Sequence, residues 1–142
     1  MSEARIKLVL DTNTIISGLL FRGNEFKLLE AIEAGKASLF MTKEILQEID
    51  KVLHYERLEK YILKSGLSVE RLLEKVISFS NIIFGHKTNV KICRDPTDNK
   101  FLECAEIADV RYLVSGDDDL LSLKKYEQIE IITTREALNL VL

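Results

Sequence analysis

Apolar residues fall into short unbroken runs separated by longer stretches with helical spacing. Ile6–Leu10 is such a run, ended by Asp11, and Ser38–Met41, Tyr112–Ser115 and Ile129–Ile132 repeat the pattern. Asn81–Phe84 is a weaker run that reads as an edge strand. Between them, the spacing predicts helices over Thr14–Phe21, Glu25–Ala34, Thr42–Leu53, Glu56–Lys64, Ser68–Phe79, Pro96–Ala108 and Arg135–Val141. Asn24 and Thr42 are placed as N-caps, and Gly35 stands where a helix-ending glycine belongs. Strands without in–out alternation, alternating with helices, describe an α/β protein whose parallel sheet is covered on both faces. No repeat, low-complexity segment or linker interrupts the pattern, so all 142 residues read as one domain.

Two of the strands run straight into acids, Asp11 and, after Gly116, Asp117. Ligands of open parallel sheets bind beyond the C-terminal strand ends. Either acid alone reads equally as an N-cap of the next helix. Two acids at equivalent positions of one edge favour a site. On the helix Thr42–Leu53 the apolar arc is Ile45, Ile49, Val52 and Leu53. Glu48 lies on its border and Glu44 further towards solvent. In Asp95-Pro96-Thr97-Asp98 the first acid is placed to cap a helix and proline to open it. Asp98 then shares the face of Phe101, Leu102 and Ala105. A lone carboxylate on a buried face is costly, whereas one kept for the helix dipole belongs on the wet side.

Composition narrows what such a site does. Twenty Lys and Arg against 23 Asp and Glu give a net charge of −3, which excludes a grip on nucleic acid by bulk positive charge. The four acids Asp11, Glu48, Asp98 and Asp117 account for more than that whole deficit, so the imbalance belongs to one site. Carboxylates gathered together repel unless a cation joins them, and hard oxygen donors suit Mg²⁺ or Mn²⁺ rather than zinc. Such an ion activates water and stabilises charge on a phosphate, which points to a phosphodiester substrate. No apolar run approaches the ~20 residues of a membrane span, and no basic start precedes an apolar stretch, so the cytoplasm is the expected compartment. Cys93 and Cys104 fit no zinc spacing and read as buried thiols. His54 and His86 read as surface residues.

Four stretches together carry a family resemblance: Val9-Leu-Asp11-Thr-Asn13-Thr, Thr42-Lys-Glu-Ile-Leu-Gln-Glu48-Ile, Asp95-Pro-Thr-Asp98-Asn-Lys-Phe-Leu-Glu-Cys-Ala, and Tyr112-Leu-Val-Ser115-Gly-Asp117-Asp-Asp119-Leu-Leu. In this order and at these spacings the chain resembles the PIN-domain nucleases, which include the VapC-type toxins of toxin–antitoxin pairs. The resemblance implies a three-layer α/β/α sandwich on a parallel sheet of four or five strands. It implies Mg²⁺- or Mn²⁺-dependent cleavage of single-stranded RNA, with Asp11, Glu48, Asp98 and Asp117 as the catalytic, metal-binding acids. Asp119 matches a further metal-binding acid, and the triplet Asp117-Asp118-Asp119 leaves open which of Asp117 and Asp119 is the main last ligand. Asn13 and Ser115 match the polar residues that hold the first and last acids. A homodimer and a small antitoxin partner are also implied.

No basic stripe marks an RNA path. Arg22, Lys27, Arg57, Lys60, Lys87, Lys91 and Arg94 are only candidates, since each reads first as a solvated surface charge. Two other classes compete with the nuclease. A response-receiver module wants an acid ending its middle strand and a lysine ending its last, but Asn81–Phe84 runs into Gly85 and Ile129–Ile132 into Thr133-Thr134. A catalytically silent PIN-like scaffold for protein or RNA predicts gaps among the acids, and all four are present.

Overall fold

The computed structural model describes residues 5–85 and 99–142. Five strands lie parallel: β1 (Ile6–Leu10), β2 (Ala37–Thr42), β3 (Ser80–Ile83), β4 (Tyr112–Val114) and β6 (Ile129–Ile132). A two-residue strand, β5 (Lys125–Tyr126), pairs antiparallel with β6 and completes the order β3-β2-β1-β4-β6-β5. This is the α/β architecture expected, with the parallel part at five strands. The hairpin is the addition. Its turns place Lys124 and Glu127 at φ of 61° and 54°, a conformation that non-glycine residues rarely announce in sequence.

The strand order decides where a ligand can sit. From β1 the chain moves outward on one side to β2 and β3, then returns past β1 to β4 on the other. The sheet therefore has its switch point between β1 and β4, where crossovers diverge and leave a crevice at the C-terminal ends. With right-handed crossovers, the helices joining β1 to β2 and β3 to β4 cover opposite faces, because the two connections run in opposite directions.

The helices are α1 (Thr12–Leu20), α2 (Asn24–Glu33), α3 (Lys43–Leu53), α4 (Glu59–Ser65), α5 (Val69–Ser78), α6 (Asn99–Ile107), α7 (Asp118–Leu121) and α8 (Thr134–Val141). A 3₁₀ turn, Glu56–Leu58, leads into α4, where the apolar pattern had merged the two. Helix α1 begins two residues earlier than the pattern predicts, because Asp11 caps it. Thr42 caps α3 as expected, but Asn24 does not cap α2: it is the first helical residue, and Gly23 precedes it without a side-chain cap. Gly35 does end α2, at φ 83°, with its amide and that of Lys36 donating back to Ile32 and Ala31. The core joins Leu8, Leu39 and Leu113 of the sheet to Leu28, Ile45, Ile49 and Leu102 of the helices, all fully buried. Helices α1 and α2 meet at Gly18, where a Cβ would come within 2.9 Å of the Glu25 carbonyl oxygen. Only glycine permits that approach.

Candidate active site

Strand register brings the first and last acids of the site together. Leu10 pairs with Val114, so the residues that follow, Asp11 and Ser115, leave the sheet side by side at the switch point. The Asp11 amide donates to the Val114 carbonyl at 3.1 Å. The Asp11 side chain is 5% exposed and braced twice. Its Oδ1 accepts from the Thr14 amide at 2.8 Å, and its Oδ2 accepts from the Ser115 hydroxyl at 2.5 Å. Ser115, fully buried, uses the same oxygen to accept from the Asp117 amide at 2.9 Å. Asp117 is exposed and caps α7, its Oδ2 accepting from the Leu120 amide at 3.1 Å. Capping and site geometry are therefore compatible here: each acid spends one interaction on a helix start and still faces the crevice. An ionised carboxylate has about four lone-pair sites, so both retain acceptor capacity.

These residues line one cleft of about 260 Å³, shared by Asp11, Asn13, Thr14, Ser17, Glu25, Gly116 and Asp117. Asn13 is exposed on its wall, whereas the bracing of Asp11 comes from Thr14 and Ser115. Glu25, half-buried in the first turn of α2, is an acid that sequence reasoning left out. It lies between no recognisable strand end and no apolar arc, and only the tight α1–α2 packing brings it to this wall. Asp119 lies in the first turn of α7, half-buried, outside the cleft lining. A larger cleft, about 410 Å³, sits among the residues that start β2 and β3, lined by Arg5, Glu33, Ser38, Ser80 and Asn81. It lies away from the strand ends that carry the acids.

Glu48 lies where its helical position predicts, half-buried on α3, with Glu44 exposed. Its environment differs from that of Asp11. Oε1 accepts from the Thr12 hydroxyl, and Oε2 accepts from the Lys100 ammonium at 2.9 Å. The lysine side chain is 12% exposed and that of the glutamate 31%. Thr12 and Lys100 were not singled out in sequence. Both stand beside flagged acids, Thr12 next to Asp11 and Lys100 two residues past Asp98, but a pair 52 positions apart has no local signal. Asp98 itself lies outside the described residues, as do Asp95, Pro96, His86, Cys93, Lys87, Lys91 and Arg94. The helix that follows Asp98 does bury Phe101, Leu102 and Ala105, the face it was assigned to.

Among the described residues, no group of three acids, histidines or cysteines is close enough to hold a metal ion. The donor chemistry of the cleft, three carboxylates of which those of Asp11 and Asp117 are braced by a hydroxyl or amide, does fit a hard divalent cation. Cys104 offers no alternative chemistry: burial in the core pushes its thiol up to about 12, so it stays protonated and inert. His54 is exposed on α3's end, hydrogen-bonded to the Asp50 carbonyl, and remote from the strand ends.

Comparison with known proteins assigns the family. The sequence pattern that defines the PIN domain matches residues 7–119, a span that opens with β1 and closes in α7. The chain belongs to the PIN domain family, whose members are generally nucleases. It is also 34% identical over 138 residues to the uncharacterized protein MJ1680 of Methanocaldococcus jannaschii, covering 93% of this chain and 86% of that one. No helix among the described residues is long and apolar enough to cross a membrane.

Proposed function

We propose that this protein is a metal-dependent endoribonuclease for single-stranded RNA and the toxin of a toxin–antitoxin pair. The observation that carries the nuclease reading is the junction of Asp11 and Asp117 through Ser115 at the switch point of the sheet. Asp11, Asp117 and Asp98 would hold the ion, Mg²⁺ or Mn²⁺, with Glu48 and Asp119 at its margin. A divalent ion bound by such acids lowers the pKa of its water and neutralises charge on a phosphodiester. The chain supplies positioning. Ser115 and the Thr14 amide fix the Asp11 carboxylate, and the Leu120 amide fixes that of Asp117. No histidine is required as a base, and His54, the one histidine among the described residues, lies at the end of α3.

End-labelled single-stranded RNA incubated with Mg²⁺ or Mn²⁺, with and without chelator, tests this reading in the wild type and in Asp11→Asn and Asp98→Asn. Cleavage that survives the chelator or either substitution overturns the metal-site assignment. The toxin role predicts growth arrest on expression, relieved by a small co-encoded partner. The homodimer is read from the sedimentation of the isolated protein.

A second reading has one observation in its favour. Both oxygens of Glu48 are engaged within the chain, one by a hydroxyl and one by an ammonium, as in a scaffold that has given up its metal. Calorimetry with Mn²⁺ separates the two: heat of binding that is lost in Asp11→Asn supports the nuclease, and its absence in the wild type supports a silent interaction module.

A further inference from the structure

The two ends of helix α1 have different chemistry. Asp11 caps its N-terminus in the acidic cleft, and Phe21 caps its C-terminus, about 15 Å away at 1.5 Å per residue. At that far end a second cleft of about 230 Å³ opens between the α1–α2 junction and the α4–α5 junction. Arg22, Lys64 and Lys75 line it, with Phe21, Phe26 and Leu67, and no acid is among its lining residues. For a chain of net −3 this is a local inversion of charge. No carboxylate pairs with any of these three cations among the described residues.

The aromatic groups are arranged with the cations. The Arg22 guanidinium lies over the Phe26 ring at 4.8 Å. Phe21, 42% exposed, meets Tyr61 edge-on at 4.8 Å, and the Lys60 ammonium lies 5.1 Å over that same tyrosine. Cations without a carboxylate partner, set beside one exposed ring, Phe21, and two half-buried ones, Phe26 and Tyr61, suit a polymer that alternates phosphates with flat bases. Single-stranded nucleic acid is held in this way, phosphates on the cations and bases stacked on the rings. A purely apolar helix would leave three desolvated charges unpaired in this cleft, and a duplex offers no free base faces.

We infer that the cleft of Arg22, Lys64 and Lys75 is a remote subsite for single-stranded RNA, which anchors the strand while α1 spans the distance to the acidic cleft. The inference rests on the nuclease reading for the identity of the strand but does not depend on cleavage. One of its cations, Arg22, is among the surface charges that the sequence singles out, as is Lys60 on the Tyr61 ring beside it. Lys64 and Lys75 are not, since their placement depends on how α4 and α5 pack.

The test is binding without chemistry. Fluorescein-labelled 12-residue oligouridine is titrated with the full chain in chelator, and anisotropy is followed over a range of salt. Relative to wild type, Arg22→Ala/Lys64→Ala/Lys75→Ala should bind at least tenfold more weakly. At about 0.7 ions released per contact, the slope of log affinity against log salt should fall by about 2. Phe21→Ala should weaken binding about tenfold with the salt slope unchanged, since stacking releases no counterions. If the triple variant unfolds, Arg22→Ala and Lys64→Ala, both on exposed side chains, carry the same prediction singly, with a slope change near 0.7 each. Equal affinity and slope in wild type and variants, or no binding by the wild type at low salt, overturns the subsite. Binding that depends on the cleft in a protein that never cleaves would refute the nuclease reading and leave the subsite standing. Preference for an acidic peptide over oligouridine at equal charge would overturn it in favour of a protein partner.

Discussion

Asp11 and Glu48 are carboxylates on neighbouring elements at the C-terminal side of one sheet, yet the chain treats their charges in opposite ways. Asp11 is braced by neutral donors, a backbone amide and the Ser115 hydroxyl, so its position is fixed while its charge is left whole. Glu48 is held by a hydroxyl and a mostly buried ammonium, so its charge is answered from within. Neutral bracing preorganises an acid for an external cation, whereas an internal counterion must be outcompeted before an external one binds. The comparison makes Asp11 the anchor of the proposed metal site and Glu48 its adjustable member.

The largest effect should come from the anchor. Asp11→Asn keeps the shape, the Thr14 contact and the cap but removes the charge. If the metal contributes several kcal/mol to the transition state, cleavage should fall on the order of 10³-fold or more, read as single-turnover rates on labelled RNA. A loss below tenfold would place the metal elsewhere and dissolve the contrast.

Ser115→Ala sharpens the comparison by removing the bracing and keeping the acid. The buried Asp11 oxygen and the Asp117 amide both lose a partner, which should cost about 1–3 kcal/mol of stability in denaturant melts. Groups that orient ligands typically change metal affinity roughly 10–100-fold, so Mn²⁺ calorimetry should show weaker binding of that size. Ser115→Thr should restore part of both if the hydroxyl is what matters.

Gly18→Ala tests whether the wall of the cleft matters as well as its floor. The new Cβ would press on the Glu25 carbonyl and the Leu29 side chain and force α2 off α1, costing about 1–3 kcal/mol. Metal binding should change less than stability does, because Asp11 and Asp117 are positioned by the sheet rather than by α2.

The same contrast explains how far the chain could be read beforehand. The Asp11 corner was legible because its parts are local: a strand run and an acid at its end, with Ser115 supplied by the family resemblance. Strand pairing then does the rest, and Leu10 opposite Val114 is enough to join them. The Glu48 corner was legible only to the helical face. Its partner Lys100 comes from another helix, and which cation reaches which acid is decided by packing between α3 and α6, not by either local pattern. The β5 hairpin escaped for a related reason. Two residues carry no periodicity, and its tight turns use a lysine and a glutamate where sequence reasoning looks for glycine or asparagine. Asn24 failed as a cap because an N-cap preference is statistical, and the α1–α2 junction admitted Gly23 there instead.

The smallest effect is the most specific to this chain. Lys100→Met keeps a long apolar stem in a site that is 12% exposed and removes only the charge that answers Glu48. The pair is partly exposed, so the metal-free protein should lose no more than about 1 kcal/mol. That loss has a counterpart. If the ammonium and the metal compete for Glu48, whatever Lys100 contributes to the metal-free state opposes metal binding by the same amount. A thermodynamic cycle then requires Mn²⁺ affinity in Lys100→Met to rise by up to about fivefold, the equivalent of that 1 kcal/mol. In a Glu48→Gln background the gain should vanish, because there is no longer a charge to compete for. A fall in affinity on Lys100→Met would reverse the assignment: the lysine would then be holding Glu48 in place for the metal, and the two corners of the site would differ in the donor used rather than in purpose.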